Sequence, residues 1–159
     1  MDIRRFNMID EISFLDTNSG HIECRTSVAS EEEIFKHHFP AYPVLPGAYL
    51  IESMAQCCAH FVLAKNNFER LPFLVGVERS RFKCFIAPGD ELVVNATKTR
   101  QRGDLYHFDV QVHSNNRLSA EARITMSCMC YPGERLTDLF FIQRSRTNMI
   151  ALGALQDAV

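Results

Sequence analysis

Residues 48–65 read Ala48-Tyr49-Leu50-Ile51-Glu52-Ser53-Met54-Ala55-Gln56-Cys57-Cys58-Ala59-His60-Phe61-Val62-Leu63-Ala64-Lys65, with no glycine or proline among them. Apolar side chains fall on nearly every side of a helical wheel, and the run is longer than an ordinary strand, so it is expected to be a helix. A helix that is apolar all round belongs at the centre of a fold. Its polar exceptions are ordered. Glu52, Gln56 and His60 recur every four residues and therefore share one stripe.

Working outward from this helix, the chain downstream alternates. In Leu105–His113, Tyr106, Phe108, Val110 and Val112 share one face. In the next run Leu118, Ala120, Ala122, Ile124, Met126, Cys128 and Cys130 do the same. This period of two marks half-buried antiparallel strands. Arg102-Gly103-Asp104 and Asn115-Asn116 stand where turns are needed. Two further strands are expected over Phe73–Ile86 and Glu91–Arg100, joined across Ala87-Pro88-Gly89-Asp90. Upstream, Phe6–Leu15 and His21–Ala29 flank the loop Asp16-Thr17-Asn18-Ser19-Gly20 and read as a hairpin. Ser30-Glu31-Glu32-Glu33 looks like a helix start, with a capping serine and acids in the first turn. Pro40, Pro43 and Pro46 keep that helix short. The sum is an α+β architecture: a curved antiparallel sheet with one long buried helix.

The chain has 159 residues, 47% hydrophobic and 23% charged, with a net charge of −2. That suits one globular domain, expected over residues 1–130. Residues 131–159 form a C-terminal extension, expected to pack on the domain or at an interface because Leu139-Phe140-Phe141-Ile142 is too apolar for water. The charge balance gives no basic excess for nucleic-acid binding. No stretch reaches the ~18 consecutive apolar residues of a membrane span, and the N-terminus has no secretory apolar core. The six cysteines include no C-x-x-C and no zinc-finger spacing, so they read as reduced thiols of a cytoplasmic protein without a metal site.

The chemistry concentrates between His38 and Gln56. Pro46-Gly47 opens the helix, so backbone N–H groups there lack intrahelical partners and can receive a developing oxyanion. A carboxyl on a buried apolar helix, as at Glu52, is expected to keep its proton near neutrality. Gln56, one turn on, is placed to hold Glu52 by a hydrogen bond. An imidazole base, a protonated carboxyl and an oxyanion site together suit proton abstraction beside a carbonyl with loss of a leaving group. Each residue also has a plainer reading: His38 as a structural residue of a turn, Glu52 as half of a satisfied polar pair.

The block His38-Phe39-Pro40-Ala41-Tyr42-Pro43-Val44-Leu45-Pro46-Gly47, followed by Glu52 and Ala55-Gln56, resembles the signature of the 3-hydroxyacyl-acyl carrier protein dehydratases, in the branch with a catalytic Glu. Gly76-Val77-Glu78-Arg79-Ser80-Arg81-Phe82-Lys83 and Ala87-Pro88-Gly89-Asp90 resemble a second motif of that family. The resemblance spans about Phe6 to Cys130. It implies a hot-dog fold, a sheet wrapped around one helix. It implies a homodimer, or a trimer of dimers, with the site between protomers. It implies syn elimination of water from a carrier-bound 3-hydroxyacyl thioester without a cofactor: His38 takes the α proton, Glu52 protonates the leaving hydroxyl, Gly47 binds the thioester oxygen and Gln56 orients Glu52. Val44 and Phe73 would line the substrate site, and acyl carrier protein is the implied partner.

The sequence also departs from that pattern. His37 replaces a usual glycine, and is expected to face solvent. Tyr49 replaces an aliphatic residue, Phe73 stands where many members carry a gating tyrosine, and the tail is longer. Arg79, Arg81 and Lys83 are expected on one strand face, where they would steer an acidic carrier or form ordinary surface ion pairs; Arg144 and Arg146 are weaker candidates. Two rivals remain at this level: a thioesterase of the same fold using Glu52, and a non-catalytic acyl-binding or dimerisation module.

Overall fold

The glycine- and proline-free run forms one helix, α1 (Gly47–Lys65), in a computed structural model that describes residues 7–29, 33–130, 145–147, 149–150 and 152–153. At 1.5 Å per residue its 19 residues span roughly 28 Å, enough to cross the inner face of the whole sheet. Among the described residues six strands make the sheet: β1 (Glu11–Asp16), β2 (His21–Ser27), β3 (Leu71–Phe82), β4 (Glu91–Arg102), β5 (Leu105–Ser114) and β6 (Arg117–Met129). All pairings are antiparallel, in the order β1-β2-β4-β5-β6-β3. Helix α1 packs against β2, β3, β4, β5 and β6. The sheet wrapped around one helix is the hot-dog architecture.

Register explains the core. Cys24, Val94, Val112 and Ala120 stand directly opposite one another across β2, β4, β5 and β6, and Ile22, Ala96, Val110 and Ala122 form the next row. All eight are buried. They meet Met54, Cys57, Cys58, Phe61 and Val62 of α1, also buried. Phe61 and Phe108 touch edge-to-face with ring centroids 5.4 Å apart, the orientation that aromatic quadrupoles favour. Burial pushes the thiols of Cys24 and Cys58 well above their ordinary range, so these two are packing groups rather than reactive ones.

Turn chemistry closes the hairpins. Gly20 and Gly103 supply positive φ at +83° and +57°. Asn115 and Asn116 take φ of +51° and +61°, the paired left-handed turn that suits the twist between β5 and β6.

The structure corrects several expectations. β1 begins only at Glu11; residues 7–9 run as irregular chain held to β2 through Asp10 N–H and the Arg25 carbonyl, 2.9 Å. The short helix ahead of the prolines is a single 3-10 turn, Glu33–Lys36; Ser30, Glu31 and Glu32 lie outside the described residues. β3 starts two residues earlier and stops at Phe82, because register shifts at Leu74/Gly76 and Glu78/Arg81 spend its alternation. Cys130 is exposed, since β6 ends at Met129.

Of the tail, residues 145–147 and 149–150 are helical, and Ser145 and Met149 are buried. Ser145 Oγ lies 2.8 Å from His60 Nδ1. Leu139–Ile142 and Arg144 lie outside the described residues. Among those described, no helix is long and apolar enough to cross a membrane.

Candidate active site

The approach to α1 is built by the prolines that cut the preceding helix short. His38 lies in the loop they shape, tied by its ring: Nδ1 is 2.9 Å from the carbonyl oxygen of Val44. A carbonyl can only accept, so Nδ1 carries the hydrogen, and in the neutral ring the lone pair is on Nε2. The backbone N–H of Val44 donates back to the His38 carbonyl at 3.4 Å, closing the loop. Val44 itself is buried, while the neighbouring His37 is exposed, as expected.

Three residues on, α1 opens at Gly47. Pro46 occupies the N-cap and offers no side-chain cap, so the first helical amides point outward without an intrahelical acceptor. Gly47 also lies against Phe82 of β3. A Cβ built there would lie 2.9 Å from Cζ of Phe82, so the absence of a side chain lets the helix start sit flat against that ring.

Glu52 stands a turn and a half further along. Gln56 Nε2 donates to its Oε1 at 2.8 Å, and Gln56 Oε1 accepts the backbone N–H of Met8 at 2.9 Å. The stripe of residues four apart is therefore real at its first step. Its third member turns elsewhere, to Ser145.

Full burial of Glu52 is not met: its side chain is half-buried. It opens on a groove of about 320 Å³ lined by Glu52, Ala55, Gln56 and Ala59 of α1, Pro72, Phe73 and Leu74 of β3, and Met126 of β6. The groove is open because β3 is the last strand of the sheet among the described residues. Residues 52, 55, 56 and 59 are one face of α1, and the alanines leave space beside the carboxyl.

Thus Glu52, Gln56 and Phe73 come together, as do His38 and Val44, and Gly47 with Phe82. His38 is not among the residues that line the Glu52 groove. Sequence reasoning missed Ala55, Ala59 and Met126 as groove residues, although two alanines four apart beside Glu52 were a visible signal. It also missed Met8, whose contribution is a backbone group 48 positions from its partner.

The three basic residues gather at the end of β3, where Arg79 and Arg81 line one shallow groove with Glu121. Arg79 sits in a bulge with φ of +52°, and Lys83 lies beyond the end of β3. Lys83 and Arg81 both pair with Glu121, at 2.9 and 3.7 Å. Lys83 in turn holds the Glu121 carboxyl below its ordinary range, chiefly by its hydrogen bond. Arg146 lies over the ring of Phe68, 5.7 Å from its centroid. No group of three His, Cys, Asp or Glu side chains among the described residues is placed to share a metal ion.

A FabA-like domain model matches residues 2–123. The chain belongs to the FabA-like family. Among curated relatives, this FabA-like chain is 32% identical over 137 residues to the 3-hydroxyacyl-[acyl-carrier-protein] dehydratase FabZ of Streptococcus pyogenes serotype M3, covering 80% of this chain and 99% of the relative. The serotype M1 enzyme of the same description matches with the same identity and coverage. Solved structures confirm the fold. A dehydratase heterocomplex from Xenorhabdus doucetiae superposes with a TM-score of 0.61 at 17% identity, over 94% of this chain and 91% of that one. A thioesterase from Haemophilus influenzae gives 0.60 at 14% identity, over 79% and 81%.

Proposed function

We propose that this FabA-like chain is a 3-hydroxyacyl-[acyl-carrier-protein] dehydratase, removing water from a carrier-bound 3-hydroxyacyl thioester to give the trans-2-enoyl thioester. The observation that carries it is an imidazole whose tautomer is fixed as a base, at His38, in the same family signature as a carboxyl held by an amide, at Glu52.

The geometry supports the following roles. His38 Nε2 takes the α proton, which the thioester carbonyl acidifies. The Gly47 N–H at the uncapped start of α1 binds the thioester oxygen while enolate character develops. Glu52 donates its proton to the β hydroxyl, the carbon–oxygen bond breaks, and water leaves. His38 then returns a proton to solvent and Glu52 is reprotonated. No step calls for a metal or organic cofactor. The acyl tail follows the groove past Ala55, Ala59 and Phe73.

In this reading the working unit is a homodimer, on its own or within a trimer of dimers. β3 is an edge strand, and Phe73, Leu74, Val75 and Val77 on it are 38–55% exposed. An edge so long and apolar calls for a partner strand, and a second copy of β3 supplies one of equal length. Pairing there brings the Glu52 groove of one protomer to the boundary that the His38 loop of the other is proposed to reach. Arg79, Arg81 and Lys83, at the end of β3 away from Phe73, would meet the acidic carrier. The cytoplasm, inferred from six cysteines with no disulfide spacing, is the compartment of this proposal.

The test is turnover of 3-hydroxyacyl carrier substrates of several lengths, following enoyl absorbance and free thiol together. Enoyl formation without thiol release is expected. Thiol release instead would establish the thioesterase reading, and tight carrier binding with neither product would establish a binding module.

A further inference from the structure

Glu52 has two carboxyl oxygens, and a general acid works only if the proton sits on the one facing the leaving group. The structure contains a device that decides between them. The backbone N–H of Met8 points at the Gln56 amide, 2.9 Å from Oε1. A backbone N–H only donates, so the amide must turn its oxygen to Met8 and its NH2 to Glu52. That NH2 donates to Glu52 Oε1 at 2.8 Å. Gln56 is buried, so this amide is set by its neighbours rather than by bulk water.

We propose that the Met8 N–H is a positioning group for the reaction: through Gln56 it reserves Glu52 Oε1 as an acceptor and leaves the transferable proton on Oε2. The proposal rests on the dehydratase reading of Glu52. In the step itself the Oε2–H bond breaks as an O–H bond forms to the departing hydroxyl. The C–O electron pair leaves with the water, and Glu52 remains a carboxylate whose Oε1 is still held by Gln56. Were the amide free to flip, its oxygen would invite the proton onto Oε1, facing away from its use.

The segment is built to present this N–H. Asn7 Nδ2 donates to the Ile9 carbonyl at 2.6 Å, forming a local turn around Met8. Ile9 is completely buried, and Asp10 is tied to β2. The irregular chain before β1 is therefore anchored on both sides of the donor.

The experiment is a double-mutant cycle in the full chain, combining Met8→Pro, which deletes the N–H, with Gln56→Met, which deletes the amide. Each single variant is expected to lower kcat about tenfold with KM changed less than about twofold. The double variant is expected to be no worse than the poorer single one, because Met8 acts only through Gln56. Independent, multiplying losses of about a hundredfold would overturn the proposal, as would a loss confined to KM.

If thermal denaturation shows that Met8→Pro does not fold, Asn7→Ala takes its place. Its smaller loss of kcat should vanish in the Gln56→Met background, and persistence there would overturn the proposal. Hydrogen exchange separates this inference from the reading beneath it. The Met8 amide should exchange about tenfold faster in Gln56→Met than in the parent chain, whatever the substrate. Equal rates refute the contact, whereas a parent chain that forms no enoyl product refutes the dehydratase assignment alone.

Discussion

The ring of His38 is held by the carbonyl of Val44, 2.9 Å from Nδ1, and this one contact settles which nitrogen can act as a base. It also gives a way to separate architecture from chemistry. In His38→Asn the side-chain NH2 stands near the former Nδ1 and can keep the bond to Val44. Activity should fall by about 10²–10⁴-fold, the usual contribution of a general base. The melting temperature should stay closer to the parent than that of His38→Ala. Steady-state turnover and thermal denaturation of the two variants check this.

A site shared between protomers makes a sharper demand. His38→Ala and Glu52→Gln should each be inactive alone. Unfolded together and refolded, half of the dimers are mixed, and each mixed dimer carries one intact site of two. About a quarter of parental activity should return. No recovery, in mixtures shown to exchange subunits, would mean that each chain builds its site from its own residues.

The helix start can be probed at Gly47. Alanine there sets a Cβ 2.9 Å from the tip of the Phe82 ring. Phe82 is half exposed and its ring can swing, so the stability of Gly47→Ala should stay within about 1 kcal/mol of the parent. The thioester oxygen has no such freedom. A loss of roughly tenfold to a hundredfold in kcat/KM is expected, measured beside a denaturation curve.

Arg70 gives a prediction in pH. Its guanidinium hydrogen-bonds Asp104, at 2.5 Å, and the Cys128 carbonyl, at 3.0 Å. The bond from Arg70 holds the Asp104 carboxyl below its ordinary range. A depressed carboxyl stabilises the fold above its unfolded pKa, and that contribution is lost as pH falls through the folded one. Arg70→Met should therefore melt below the parent at pH 7, and the gap should narrow below about pH 4. A gap independent of pH would assign the effect to the Cys128 carbonyl instead.

Much of this fold was legible because its signals are local and periodic. Residues 48–65 lack every helix breaker, and Tyr106–Val112 and Ala120–Cys128 alternate cleanly on to the inner face. What could not be read depends on partners far along the chain. Arg79 carries no glycine or asparagine signal for its left-handed backbone; the bulge arises from pairing with β6. Despite that bulge, Arg79 and Arg81 line one groove with Glu121, and Lys83 reaches the same carboxylate from beyond the end of β3. The half-exposure of Glu52 follows from β3 being an edge, which is a matter of strand order. The hold of Met8 on Gln56 uses a main-chain amide, which every residue but proline possesses, so residue type gave no warning.

The outer side of β3 also bears on how the molecule comes into being. In the homodimer proposed above, a newly synthesised copy would carry a long greasy ribbon with free hydrogen-bonding groups, open to any extended chain nearby until a mate arrives. Assembly of that dimer would obey mass action: slow expression would leave singletons waiting, and overexpression would set correct pairing in competition with clumping. Catalytic competence would thus be a property of concentration as much as of sequence, acquired on encounter rather than on release from the ribosome.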